Sequence, residues 1–181
     1  VREKVKDPSN SFGGTRYTDE QVNRYINIAQ KEICINTGFL RATCIGTLTA
    51  NTTEYYLPTN LFFIERVQFG AEDTLAETTM SQLDNNDYGW FDLSASSSTH
   101  YYTMVGLQKI GFYPPPEYSS VAVTIYYAKI PIDLASDTDE IFESDPKLNV
   151  FQDVIVMGAL THLLFLENDA RCGTMEQKYM S

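Results

Sequence analysis

The sequence predicts an α+β fold, a helical unit built from N- and C-terminal helices with an antiparallel β-sheet or sandwich inserted between them. Three observations lead there. A capped, 3.6-periodic stretch opens near Thr18, runs of period two fill the middle of the chain, and a long apolar stretch returns near the end. The chain has 181 residues, enough for one domain or one domain with an insertion.

Residues 1–17 are polar, with Asp7-Pro8 and Gly13-Gly14, and read as an extended arm or a floppy terminus. Thr18-Asp19-Glu20-Gln21 is a capping box. Val22, Tyr25, Ile26, Ala29 and Ile33 follow at helical spacing, and Gly38 is the expected stop. The period then changes to two. Ile45–Ala50 and Thr53–Leu57 read as a hairpin around Asn51-Thr52, and Phe63–Phe69 as the next strand. Residues 70–99 are irregular, with a short turn at Ser81–Leu83 and a partly buried Trp90-Phe91. Strands resume at His100–Met104 and Leu107–Tyr113, and Pro114-Pro115-Pro116 halts pairing because proline has no N–H to donate. Val121–Ala128 is the clearest strand, with Val121, Val123, Ile125 and Tyr127 on one side. About six antiparallel strands are therefore expected.

Pro131–Phe142 reads as a loop with an acidic knot at Asp137-Thr138-Asp139-Glu140. A second helix is expected from Asp145 as cap, through Pro146, to about Leu166. Its apolar residues, from Val154 to Leu166, run nearly all the way round, and such a helix must be covered on every side. A small domain with few helices cannot easily do this alone, so neighbouring subunits are expected to supply part of the cover. Asn168–Ser181 returns to polar helical character. The expected organisation is an arm at 1–17, a helical ring-forming part at 18–44 and 143–181, and an inserted β part at 45–142. The candidate interface residues are Leu160, Leu163 and Leu164 on the apolar helix and Arg171, Glu176 and Tyr179 beyond it.

The formal charge of −11 repels nucleic-acid phosphate and anionic membrane, which argues against a sequence-reading DNA binder. It suits a surface past which DNA must slide without sticking. The apolar stretch Val154–Leu166 is shorter than the ~20 residues a bilayer crossing needs, so no membrane span is expected. No basic-then-apolar leader precedes it, and the first residue is Val rather than Met, as in a trimmed start. Cys34, Cys44 and Cys172 match no metal or redox spacing and read as free thiols in a reducing compartment.

The chain carries no Gly-rich phosphate loop, HExxH, GxSxG or CxxC, so no catalytic residue and no cofactor are expected, and the protein is expected not to be an enzyme. His162, on the apolar helix, reads as a satisfied core histidine, and His100 as the start of a strand. Asp84 with Asp87, and Asp137 with Asp139, Glu140 and Glu143, are the two acidic groups, but neither has full EF-hand spacing; solvated loops are the simpler reading, and no metal is expected. Trp90, Phe91, Tyr101 and Tyr102 could form a sugar-stacking platform, but packing in the core of a β-sheet is the simpler reading.

Several stretches, in their order and spacing, resemble the adaptor proteins of tailed-bacteriophage head–tail connectors. They are Tyr25-Ile26-Asn27-Ile28-Ala29-Gln30-Lys31-Glu32-Ile33, Glu54-Tyr55-Tyr56-Leu57-Pro58 and Phe63-Ile64-Glu65-Arg66-Val67. Ile110-Gly111-Phe112-Tyr113-Pro114-Pro115-Pro116, Val123-Thr124-Ile125-Tyr126-Tyr127 and the Pro131 to Asp139 stretch complete the set, and the likeness covers most of Thr18–Leu166. The resemblance implies a helical part packed side by side in a ring, usually twelvefold, against the portal protein, and a β part facing the downstream tail or nozzle protein and tail fibres. It implies a place in the virion neck after assembly in the host cytoplasm, and a part in genome ejection. The family's C-terminal segment commonly grips the portal; Asn168–Ser181, the matching stretch here, is shorter than in many members. From a different class, a carbohydrate- or receptor-binding β module of a tail or surface assembly would use the aromatics around Trp90.

Overall fold

The computed structural model describes residues 18–71, 73–86, 89–90, 94–135, 139, 141–144, 151–166 and 177. The fold is α+β, and the chain divides into two compact units. One contains the described residues up to Leu40 and from Ile130 onward; the other is Arg41–Lys129. The expected arm at 1–17, the Asp145 cap with Pro146, and Asn168–Ser181 lie outside the described residues, apart from Gln177.

In the helical unit, α1 spans Asp19–Thr37. Thr18 Oγ1 accepts from the Gln21 N–H at 3.1 Å, and Gln21 Oε1 accepts from the Thr18 N–H at 3.0 Å. These two bonds satisfy donors that a helix N-terminus otherwise leaves open. Gly38 ends the helix at φ 61°, a left-handed conformation that glycine adopts without a Cβ clash. A short 3-10 turn, Ile141–Ser144, and α2, Gln152–Leu166, follow the β unit in sequence. Ala29, Ile33, Cys34, Leu40, Phe142, Ile155 and Ala159 form one buried cluster, and Val22, Leu160 and Leu163 a second. Phe39 stacks on Phe151, with ring centroids 5.3 Å apart, and meets Phe142 edge-on at 5.1 Å. Such offset and edge geometries suit the aromatic quadrupole.

Among the described residues the β unit holds eight strands. They are β1 (Arg41–Leu48), β2 (Glu54–Tyr56), β3 (Leu61–Phe69), β4 (Asp73–Thr74), β5 (Ala76–Glu77), β6 (Tyr101–Val105), β7 (Lys109–Tyr113) and β8 (Val121–Lys129). A short helix α3, Met80–Asn86, stands between β5 and β6. One sheet runs β1-β8-β3-β4 and the other β2-β7-β6-β5. Both sheets contribute to one core, with Leu48, Val67, Phe69, Val123, Ile125 and Tyr127 from the first and Tyr102, Ile110 and Phe112 from the second. The alternation along β8 places Val123, Ile125 and Tyr127 inward, as expected from its period of two.

Three expectations are corrected. Residues 45–50 and 53–57 do not pair as a hairpin: β1 pairs with β8 from Arg41↔Ala128 to Leu48↔Val121, and β2 pairs with β7. The connection crosses between sheets instead. The Tyr55 hydroxyl accepts from the Thr49 N–H at 2.8 Å and lies 3.0 Å from the Thr49 carbonyl, while the Asn51 N–H donates to the Pro116 carbonyl at 2.9 Å. The Asn51–Pro116 bond ties the turn to distant chain, which a local turn signal does not encode. Second, the strands number eight among the described residues rather than about six, and β5 pairs with β6 in parallel. The two-residue strands β4 and β5 are too short to show a period. Third, the β unit is Arg41–Lys129 where 45–142 was expected, because β1 pairs from Arg41 onward and the segment after Lys129 bonds to α1.

Phe112 is fully buried and meets Tyr55 edge-on at 5.6 Å. Phe112→Ala is expected to lower stability by ~3–5 kcal/mol, read from urea unfolding. Tyr102 supplies a pH signature. Burial, then the charge of Glu77 and a hydrogen bond to it, push its phenol up to about 12. The folded chain thus holds this proton more tightly than the unfolded chain, whose tyrosines titrate at about 10. The stabilisation is complete below about pH 10 and is lost as pH rises from about 10 to about 12. Tyr102→Phe is expected to flatten that alkaline fall by ~2 kcal/mol, measured as the difference in unfolding free energy between about pH 9 and about pH 11.5.

Candidate functional site

The outer side of α2 is the candidate site. Its sequence is nearly all hydrocarbon, and α1 covers one side of it. Ile155, Ala159, Leu160, Leu163 and Leu164 are 0–3% exposed. Phe165 is 74% exposed and Val154 36% exposed, and Val156, Met157, Thr161 and His162 are half-buried. Val154 and Phe165 are separated by roughly three helical turns, about 16 Å, and project within ~20° of each other around the axis. They therefore mark the two ends of one outward stripe, with half-buried Thr161 near its line and half-buried Met157 about 60° to one side. Exposed apolar side chains standing singly are ordinary, but two at the ends of one stripe on a helix with no polar face are a surface that burial would stabilise.

Leu160, Leu163 and Leu164, named from sequence as interface residues, are buried in their own unit, and Leu160 and Leu163 pack with Val22 of α1. Arg171, Glu176 and Tyr179 lie outside the described residues. Phe165 and Val154 were missed as surface residues. A helix that is apolar all round gives no amphipathic signal, so its period cannot say which side meets α1.

Polar contacts hold the α1 side in place. Asn27 Nδ2 donates to the Leu134 carbonyl at 3.0 Å, and Asn27 Oδ1 accepts from the Leu134 N–H at 2.8 Å. Gln30 Nε2 donates to Asn27 Oδ1 at 3.0 Å and to the Ile132 carbonyl at 3.1 Å. Gln30 is fully buried, and its Oε1 accepts no hydrogen bond among the described residues. Leaving such an acceptor dry costs about 1–3 kcal/mol, which the two bonds from its Nε2 offset in part. Lys31 also pairs with Asp133, an exposed contact of small energetic weight. Beside these groups lies an open cavity of about 640 Å³ along α1, lined by Asp19, Glu20, Arg24 and Lys31 among others. Its mixed charges suit a solvated face.

His162, Asp84 and Asp139 have structural partners. His162 Nε2 lies 3.2 Å from Glu32 Oε2, and its ring stacks near Tyr25 at 6.3 Å. Asp84 Oδ1 accepts from Trp90 Nε1 at 2.7 Å, and Asp139 Oδ2 from the Ala135 N–H at 2.6 Å. Asp87, Phe91, Asp137 and Glu140, and the Glu143 side chain, lie outside the described residues. Among the described residues no group of three or more His, Cys, Asp or Glu side chains could hold a metal ion. Cys34 is buried and Cys44 half-buried; Cys172 is not described. No described helix is long and apolar enough to cross a membrane. Of the aromatics grouped from sequence, Tyr102 is buried in the core, whereas Tyr101 is 45% exposed and Trp90 half-buried.

Asn27→Ala removes every hydrogen bond between this side chain and Leu134. It is expected to cost ~2–3 kcal/mol in chemical denaturation and to speed amide exchange at Leu134, measured by hydrogen–deuterium exchange.

A family model described as SU10 adaptor protein matches residues 1–181, the whole chain. No curated protein matches it.

Proposed function

The chain belongs to the SU10 adaptor protein family and is a bacteriophage structural adaptor; from that membership we propose that it builds the head–tail connector, forming a ring under the portal that joins the capsid to the tail and lines the DNA channel. The observation that carries this reading is the outward stripe of α2 from Val154 to Phe165, hydrocarbon that its own unit leaves open. A side-by-side ring covers such a stripe on every copy at once, because a heterologous contact closes on itself when the rotation between copies divides the circle.

The acidic charge supports the channel role. Twelve copies of a chain at −11 carry about −132 charges, a field that keeps passing DNA from adhering where the charge faces the lumen. The β unit then presents its aromatic surface to the next tail or nozzle protein and to fibres, and the virion neck is the working location. The role asks for binding surfaces and needs no catalytic group.

The test separates assembly from folding. Wild type is mixed with its portal, and rings are sought by electron microscopy and size-exclusion chromatography. Phe165→Asp is expected to keep native circular dichroism yet lose ring formation, since the charge lies on the surface of the free chain and in hydrocarbon in the assembly. Leu160→Asp is expected to unfold the helical unit instead, costing several kcal/mol by burying an unpaired charge. Ring formation by Phe165→Asp at wild-type yield would remove α2 from the interface, and failure of the wild type to form a ring at any salt concentration would overturn the connector role.

A further inference from the structure

A second feature of the β unit has a chemistry of its own. A cavity of about 380 Å³ opens between α3 and the end of the β6–β7 pair, lined by Trp90, His100, Tyr101, Tyr113, Asn86 and Leu83 among others. That volume sits at the small end of ligand sites, about 300–1,000 Å³, and suits one ring rather than an extended chain.

The walls are held before any ligand arrives. Trp90 donates its indole N–H to Asp84 at 2.7 Å and meets the Tyr113 ring edge-on at 4.7 Å, so the indole plane is fixed. Gly111 leaves room for Tyr113, because a Cβ at that position would stand 3.0 Å from the ring. The His100 N–H donates to the Tyr113 carbonyl at 3.1 Å, and the Thr78 N–H to the Tyr102 carbonyl at 2.9 Å, anchoring the strand that presents Tyr101. The Asn86 carboxamide and the His100 imidazole, by contrast, line the cavity without a hydrogen-bonding partner among the described residues.

Which ligand this suits follows from what the walls contain and lack. Among the described residues no carboxylate, ammonium or guanidinium lines the cavity, in a chain with 24 acidic and 13 basic residues. A phosphate or a cationic ligand would find no counter-charge there. A proline-rich peptide would want the indole N–H as a donor to its carbonyls, and Asp84 already holds it. Aromatic faces with neutral amide, imidazole and phenol groups at the edge match a ring whose faces are C–H and whose rim is hydroxyl. We infer that the Trp90–Tyr101–Tyr113 cavity is a binding site for a single neutral sugar residue, its face stacked on Trp90 and Tyr101, with Tyr113 behind the indole, and its hydroxyls bonded to Asn86 and His100. The site does not depend on the assembly reading of α2.

Trp90 is the chain's one tryptophan, so its fluorescence reports on this cavity alone. The purified chain is titrated with glucose, galactose, N-acetylglucosamine and rhamnose. A saturable change in emission with at least one of them is expected. Tyr101→Ala and Asn86→Ala, at exposed positions and with unchanged circular dichroism, are each expected to weaken that response about tenfold. Absence of a saturable response to all four sugars, or a response that survives intact in both variants, overturns the site. A response to proline-rich peptide with none to sugar also overturns it. Both variants are expected to form rings on portal as wild type does, so failure here leaves the assembly result standing.

Discussion

A helix with hydrocarbon on every side cannot rest against one partner helix. α2 meets α1 through Ile155, Ala159, Leu160 and Leu163, and this contact forms the core of the helical unit. Two alanines, Ala29 and Ala159, are fully buried in it. Close-packed interiors tolerate little change in volume, so this face has little room for alternative arrangements. Because α1 takes one side, the opposite side carries Val154 and Phe165 to the surface. The same packing that makes the unit stable therefore creates its unpaired stripe. Folding and assembly draw on one helix, with different residues serving each.

The segment after the β unit depends on that packing in turn. Asn27 and Gln30 lie on α1, and their amides hold the backbone at Ile132 and Leu134. The Oε1 of Gln30 has no hydrogen-bond donor among the described residues. A buried amide with one satisfied half is a cost that an apolar side chain would avoid, yet its NH2 donates to both Asn27 and the Ile132 carbonyl without burying a charge. The chain re-enters the helical unit at a defined place because of these bonds.

The β unit is organised around β8, which pairs with β1 on one side and β3 on the other. Its inward residues meet Phe112 and Ile110 of the second sheet, and the two sheets share one core. That core positions the Tyr113 end of β7, and with it the wall of the aromatic cavity. The chain is strongly acidic, yet the described residues that line this cavity carry no charge. A strongly charged chain with an uncharged aromatic hollow has set aside two kinds of surface, one that repels polyanions and one that can stack a ring.

Local chemistry was legible in the sequence. The Thr18–Gln21 capping box, the Gly38 stop, the alternation of Val121–Ala128 and the all-round apolar character of the last helix each depend on neighbours a few residues away. Together they determined the α+β class and the need for cover around α2. Strand partners were not legible, because β1 finds β8 across some eighty residues and the turn at Asn51 is held by Pro116. Nor was the side of α2 that faces out, since period identifies a face only where polar residues mark the other. Tertiary structure decided that Leu160, Leu163 and Leu164 are core, that Phe165 is surface, and that Trp90 and Tyr101 share a cavity while Tyr102 is buried. The physical reason is the same in each case: pattern fixes what a segment can bury, and only packing against distant chain fixes what is left over.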